Sequence, residues 1–254
     1  MKKNMYYQVV LRRKNLILEF LLTLFLGLAS WPRLLLEVYI RKNPGERYFS
    51  FSSAISILVL LALFPYWLAK SANFYGHVTA ESVVFKNLAW YVYLSGFLVM
   101  ALKRRNEVKR LPSVFDFERF SLSSGIVNKQ FYNFDFNGKR PNIRTIETIL
   151  EPGLFLLIGI FLAFFGQTLG YLLMVCSIIY SLSYVAAYHI GDNFIMDKID
   201  EMICNEEMVA SFVDGRDPGE TRGFNAYGRK PTDPDLRRRV ANAFLGDDEP
   251  MEVF

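Results

Sequence analysis

Four stretches of this 254-residue chain carry no Asp, Glu, Lys or Arg: 51–68, 87–102, 153–165 and 169–188. Composition alone barely separates the chain from a soluble domain, with 52% hydrophobic and 21% charged residues against averages of about 45–50% and 25%. The difference lies in how the apolar residues cluster. A helix needs about 20 apolar residues to cross a hydrocarbon layer roughly 30 Å thick, and these runs approach that length. The third run reaches it if its helix starts at Ile149, with Glu151 at the membrane lip and Pro152 in the first turn, where a missing N–H is tolerated. Gly166-Gln167-Thr168 is too short to be anything but a tight turn, so the third and fourth runs form a helical hairpin. Such runs exclude a soluble globular enzyme, a disordered chain, a collagen and a disulfide scaffold.

Cationic residues set the expected direction. The connection 70–86 holds only Lys70 and Lys86, whereas 103–150 holds ten Lys and Arg. Cationic loops stay on the cytoplasmic side, which puts 103–150 and the tail 189–254 inside and 70–86 outside. Arg33, Arg41, Lys42 and Arg47 put the segment before Phe51 inside as well. Residues 1–188 contain 21 basic and 10 acidic residues, and residues 189–254 contain 8 and 15. The tail thus reads as a separate, water-exposed acidic part.

Residues 16–31 are apolar apart from Glu19 and have basic clusters on both sides. A helix in the inner interface, or a re-entrant one ending near Pro32, fits those flanks. A fifth span and a cleaved signal peptide are the alternatives; cleavage would invert every later loop.

The resulting fold class is a polytopic α-helical membrane protein. It has four transmembrane helices as two hairpins, an N-terminal interfacial helix and a small mixed α/β cytoplasmic portion. Its segments are a basic N-terminus (1–50), a first hairpin (51–102), a cytoplasmic loop (103–150), a second hairpin (151–188) and an acidic cytoplasmic tail (189–254). The loop contains two pieces, 114–118 and 133–137, that alternate aromatic and polar residues at the period of a half-buried strand. Tyr132, Phe134 and Phe136 share one face, followed by the turn signal Asn137-Gly138. A lead-in helix then runs from Pro141 to Glu151. In the tail, Ile195, Ile199, Met202, Ile203, Val209 and Phe212 recur at helical spacing. Residues 214–233, with four Gly and two Pro, read as a flexible linker without a core. A short helix over 235–245 follows, with Leu236, Val240 and Phe244 apolar, and the chain ends at Phe254.

A search for chemistry finds no phosphate loop, no His-Glu-x-x-His and no Cys-x-x-Cys. His77 and His189 fall on opposite sides of the membrane, and Cys176 and Cys204 lie in different environments and read as free thiols. Glu147 and Glu151, four apart, read as a helix-start pair favoured by the N-terminal dipole. The charge-free runs carry no ionisable group at depth, which is the usual mark of an ion or proton pathway. No catalytic residue, cofactor or metal is expected. In the last span Tyr180, Tyr184 and Tyr188 recur every four residues, and Ser177 and Ser181 make a small-x-x-x-small pair. These five residues read as a helix-packing stripe.

The expected function is that of a non-enzymatic inner-membrane scaffold or anchor with both termini cytoplasmic, in a larger assembly such as a bacterial secretion or DNA-transfer machine. Its partners would be other membrane subunits, cytoplasmic proteins, lipids and possible further copies of itself, without direct nucleic-acid binding. Phe134, Phe136, Ile199, Ile203, Leu236, Val240, Phe244 and Phe254 are the candidate partner-binding residues. The alternative is an oligomeric channel or small transporter without intramembrane charges.

Overall fold

The computed structural model describes residues 6–12, 15–72, 79–109, 120–134 and 140–245. The helices are α1 (Leu16–Ile40), α2 (Phe51–Ala72), α3 (Ala80–Lys86), α4 (Leu88–Val108), α5 (Lys129–Tyr132), α6 (Ile143–Thr145), α7 (Glu151–Phe164), α8 (Thr168–Met208) and α9 (Pro234–Leu245). A π-helical turn, Ile146–Leu150, joins α6 to α7, and two more lie at Tyr7–Leu11 and Val209–Val213. Four helical segments are long and apolar enough to cross a membrane: Leu16–Ile40, Phe51–Ser71, Ile143–Phe164 and Thr168–Val213. The chain has the make-up of an integral membrane protein.

Three of these segments contain runs found in the sequence; the fourth is α1 rather than α4. Lys103, Arg104, Arg105 and Glu107 continue α4 beyond its apolar run, which lowers its mean hydropathy. The expected end of the first helix near Pro32 is corrected too, because α1 passes through Pro32 to Ile40. Proline removes a helix hydrogen bond and disfavours a helical conformation in the residue before it. Here the turns beyond it are held by packing: Leu34, Leu35, Leu36 and Val38 are buried, and Arg33 pairs with Glu37 one turn on.

The chain divides into two compact units, residues 21–188 and residues 1–20 with 189–254. In the first, the core is made by α1, α2, α4, α7 and α8, with Leu36, Ala54, Phe97, Phe155 and Leu173 among its buried members. α2 and α4 form the first hairpin. Pro65 has no N–H to give the Leu61 carbonyl four residues earlier, and Trp90 Nε1 of α4 donates to that carbonyl at 2.9 Å. Tyr91 adds a bond to the Ala62 carbonyl at 3.1 Å. The second hairpin shows the same device. Pro152 leaves the Thr148 carbonyl without its α-helical partner, and the Ser181 hydroxyl donates to it at 2.6 Å. In hydrocarbon a freed carbonyl must be satisfied by a neighbouring side chain. α7 and α8 meet at Gly159 and Gly170, where a Cβ on Gly170 would come within 2.6 Å of the Gly159 carbonyl oxygen.

No strand forms among the described residues, and the expected mixed α/β portion is corrected to an all-helical one. The Asn128 side chain accepts the Gln130 N–H at 3.1 Å and starts the helical turn α5. That local cap overrides the aromatic alternation at 132–134. Residues 114–118, most of 133–137 and Phe136 itself lie outside the described residues. An isolated antiparallel bridge joins Lys42 and Ile126.

The second unit has its own core of Tyr7, Cys204, Met208, Phe212, Phe224 and Ala241, joined by Val213 and Ala226. Both ends of the chain build it. Tyr6 Oη accepts the Tyr227 N–H at 2.6 Å and donates to the Tyr227 carbonyl at 2.9 Å. Arg12 pairs with Asp197 at 2.9 Å. Burial first, then Asp197 and Asp200, push the Tyr7 phenol up to about 12, so it is a neutral donor to Asp197. Residues 214–233 are not the coreless linker that their glycines suggested: Thr221, Phe224 and Ala226 are buried. Their glycines serve turns, as at Gly223, whose φ of 80° few side-chain-bearing residues would adopt. Both cysteines are free.

Replacing Trp90 by Phe removes the donor to the Leu61 carbonyl while keeping most of the ring packing. A loss of about 1–3 kcal/mol, the cost of a buried group left unsatisfied, is expected as a lowered Tm of the detergent-solubilised protein. An unchanged Tm would show that the proline-freed carbonyl needs no partner.

Candidate functional site

Three segments bring polar side chains spaced four residues apart to one place. α1 and its C-terminal flank supply Arg33, Glu37 and Arg41. The π-helical turn and the start of α7 supply Glu147 and Glu151. α8 supplies Tyr180, Tyr184 and Tyr188. In a helix this spacing keeps side chains on one face, so each segment presents a polar stripe to the other two.

Arg41 is the centre. Its side chain is 1% exposed and that of its partner Glu151 is 0% exposed. Arg41 Nη2 and Nε reach Glu151 Oε2, the latter at 3.1 Å, and Nη2 also pairs with Glu147 at 3.1 Å. Nη1 donates to the Ser124 and Tyr184 hydroxyls, both at 2.5 Å. Burial by itself disfavours the cation, but Tyr180, Tyr184, Glu151 and Glu37 outweigh it and hold the Arg41 pKa above its usual value.

A second pair adjoins the first. Arg33 donates to Glu37 Oε1 at 3.1 Å and to the Tyr48 hydroxyl at 2.5 Å. Tyr48 donates to Glu37 Oε2 at 2.6 Å, and Tyr184 donates to Glu37 Oε1 at 2.9 Å. Burial, followed by the Glu37 charge, raises the Tyr48 phenol well above its ordinary range, so Tyr48 acts as a neutral donor. Tyr180 donates to Glu151 at 2.5 Å and Tyr188 to Glu147 at 2.5 Å. Three carboxylates thus face two guanidiniums, and Glu151 Oε1 is buried without a hydrogen bond among the described residues.

The C-terminal end of α4 is tied to the same corner. Buried Arg104 donates through Nε to the Val38 carbonyl at 3.1 Å and through Nη1 to Glu107 at 2.6 Å. A cation among the last carbonyls of α1 complements the negative end of that helix. Glu107 in turn accepts the Asn43 N–H at 2.8 Å.

These positions bear directly on the sequence-derived candidates. Ser177, Tyr180 and Tyr184 are buried, and Ser177 donates to the Pro152 carbonyl at 2.5 Å. All five residues of the α8 stripe therefore bond within this chain. Glu147 and Glu151 are held by Arg41 rather than merely by a helix dipole, and Glu151, expected at the membrane lip, is buried, as is Glu37 of α1. Arg33, Glu37, Arg41 and Arg104 were missed as site residues; the four-residue repeat Arg33, Glu37, Arg41 was the signal that could have found them. Of the partner-binding candidates, Ile203 and Val240 pack on the core of the second unit. Phe134, Ile199 and Leu236 are exposed. Phe244 falls in α9, and Phe254 lies outside the described residues. Among the described residues no group of three or more His, Cys, Asp or Glu could hold a metal ion.

Fold and site define a polytopic helical membrane protein whose helices are joined at one end by a buried ion-pair cluster. No family model, curated protein or solved structure matches the chain.

Arg41→Met strands two buried carboxylates and is expected to cost about 3–5 kcal/mol. The double variant Arg41→Met, Glu151→Leu should recover more than half of that loss in thermal unfolding, because removing both members of a buried pair is far less costly than removing one. Additive losses would show that the two residues are not coupled.

Proposed function

We propose that this protein is a non-enzymatic integral-membrane anchor, a scaffold subunit of a larger assembly in a bacterial inner membrane. Its cytoplasmic parts recruit soluble partners. The observation that carries the reading is the second unit: both ends of the chain fold into a module with its own core. On the described helix that enters this module, Ile190, Phe194, Ile195, Met196, Ile199 and Met202 are exposed. Exposed contiguous apolar residues on an otherwise charged helix mark a surface for another protein or a membrane. Leu236 of α9 adds to the exposed apolar surface of the module.

The bonding of α8 supports an anchor over the channel alternative. Ser177, Tyr180, Ser181, Tyr184 and Tyr188 are engaged by α1, α7 and the π-helical turn, which favours a packed bundle over a polar pore lining. The contacts of Tyr6 and Arg12 with Tyr227 and Asp197 favour an even number of crossings between the chain ends. Crossing by α2, α4, α7 and α8, with α1 held in the inner interface, meets that condition and agrees with the cationic loops.

Two experiments test this reading. Single cysteines at positions 79, 130 and 225, in a background lacking Cys176 and Cys204, should react with an impermeant maleimide in intact cells only at 79; labelling at 225 would overturn the orientation. The variant Ile199→Asp, Leu236→Asp changes exposed residues only. It should insert normally yet lose its crosslinks to soluble proteins in native membranes, and an unchanged crosslink pattern would remove recruitment by this module.

A further inference from the structure

A cavity of about 280 Å³ opens beside the ion-pair cluster, between α1 and the start of α2. Its lining divides into two chemistries. Arg33, Arg47, Tyr48, Ser30, Ser50 and Ser53 form a polar, cationic part, and Leu26, Trp31, Leu34 and Leu122 form an apolar part. The volume is close to the lower limit for small-molecule sites, about 300 Å³.

The polar part favours an anion. The acid in its wall, Glu37, is already neutralised: its two oxygens accept from Arg33, Tyr184 and Tyr48. Arg33 uses Nε and Nη2 on Glu37 and Tyr48, which leaves Nη1 without a hydrogen bond among the described residues. Arg47 is exposed, and its side chain makes no ion pair among the described residues. Ser50 starts α2 by accepting the Ser53 N–H at 3.3 Å, so the positive end of a 22-residue helix adds to the same field. The apolar part is continuous with the exposed surface of α1, where Leu24, Leu28 and Trp31 are uncovered.

We infer that this cavity binds the phosphate of an anionic phospholipid headgroup, with Arg47 as the cation on the phosphate, Arg33 Nη1 and the serine hydroxyls as donors at its edge and the acyl chains along α1. A guanidinium pairs with phosphate through charge-assisted hydrogen bonds, and basic pockets between membrane helices suit such headgroups. Free phosphate offers the same anionic group, but the apolar wall leading from the pocket along α1 gives it nothing to contact. The inference needs only that α1 touches the bilayer, and it stands or falls separately from the scaffold reading.

The test uses the full-length protein purified in non-ionic detergent and exposed to equal amounts of phosphatidylglycerol and phosphatidylcholine, with retained lipid counted by native mass spectrometry. Phosphatidylglycerol should be retained over phosphatidylcholine. Arg47→Gln should weaken that retention about fivefold, the scale of one arginine's attraction to an anionic lipid surface, whereas Lys129→Gln, an exposed charge outside the cavity, should leave it unchanged. Equal retention of the two lipids, or an Arg47→Gln protein that retains phosphatidylglycerol like the parent, would overturn the assignment. Displacement of the lipid by millimolar inorganic phosphate, lost with Arg47→Gln, would also overturn it by identifying a soluble phosphate site.

Discussion

Everything in the membrane unit converges on the pairing of Arg41 with Glu151. Both side chains are withdrawn from solvent, so neither charge can be left alone: separating them would leave an uncompensated ion in a medium of low dielectric. The pair joins the end of α1 to the start of α7. Tyr180 and Tyr184 then bring α8 onto it, Ser124 brings the middle connection, and the Arg104 bond to Val38 brings α4. One corner of the bundle is therefore fixed by directional polar contacts, in a unit whose other helix contacts are largely non-directional apolar packing. Such a pair adds less to stability than its Coulomb attraction suggests, because desolvation offsets it, but it strongly penalises any arrangement that parts the two residues.

A second constraint acts at the prolines. Pro65 and Pro152 each remove one N–H and leave a carbonyl in surroundings that cannot hydrate it. Trp90 answers Pro65, and Ser181 answers Pro152, each from the neighbouring helix of its hairpin. The proline positions thereby help to register the hairpins, because only certain alignments bring a donor to the freed carbonyl. With Gly159 and Gly170 allowing α7 and α8 to approach closely, this gives the second hairpin a defined alignment without any charged contact along its apolar length.

The module made by the two chain ends offers a different lesson. The glycines and prolines of 214–233 carry the composition of a flexible connector, yet Thr221 donates to the Phe224 carbonyl at 2.6 Å and Ser211 accepts the Ala226 N–H at 3.0 Å. These local bonds turn the segment back so that Phe224 and Ala226 reach Cys204 and Met208. Composition measured the segment's small apolar content correctly. It missed that a few apolar groups suffice when a neighbouring helix and Tyr7 provide the rest of the core.

The sequence by itself determined the apolar runs, the tight turn between α7 and α8, and the four-residue periodicity of the tyrosine and serine stripe. Each of these depends on residues within a few turns of one another. It also showed Glu147 and Glu151 on one helix, but not their counter-ion, which lies 110 residues away from Glu151 at Arg41. Only the tertiary structure decided that pairing, the passage of α1 through Pro32 and the closing of the N-terminal segment on the tail. Local propensity argues against the second, and nothing in the residues near Arg41 or Tyr6 names a partner so far along the chain. The physical reason is that periodicity reports which face a side chain takes on its own helix, whereas the partner of a buried charge is chosen by where the other helices bring compensating charge.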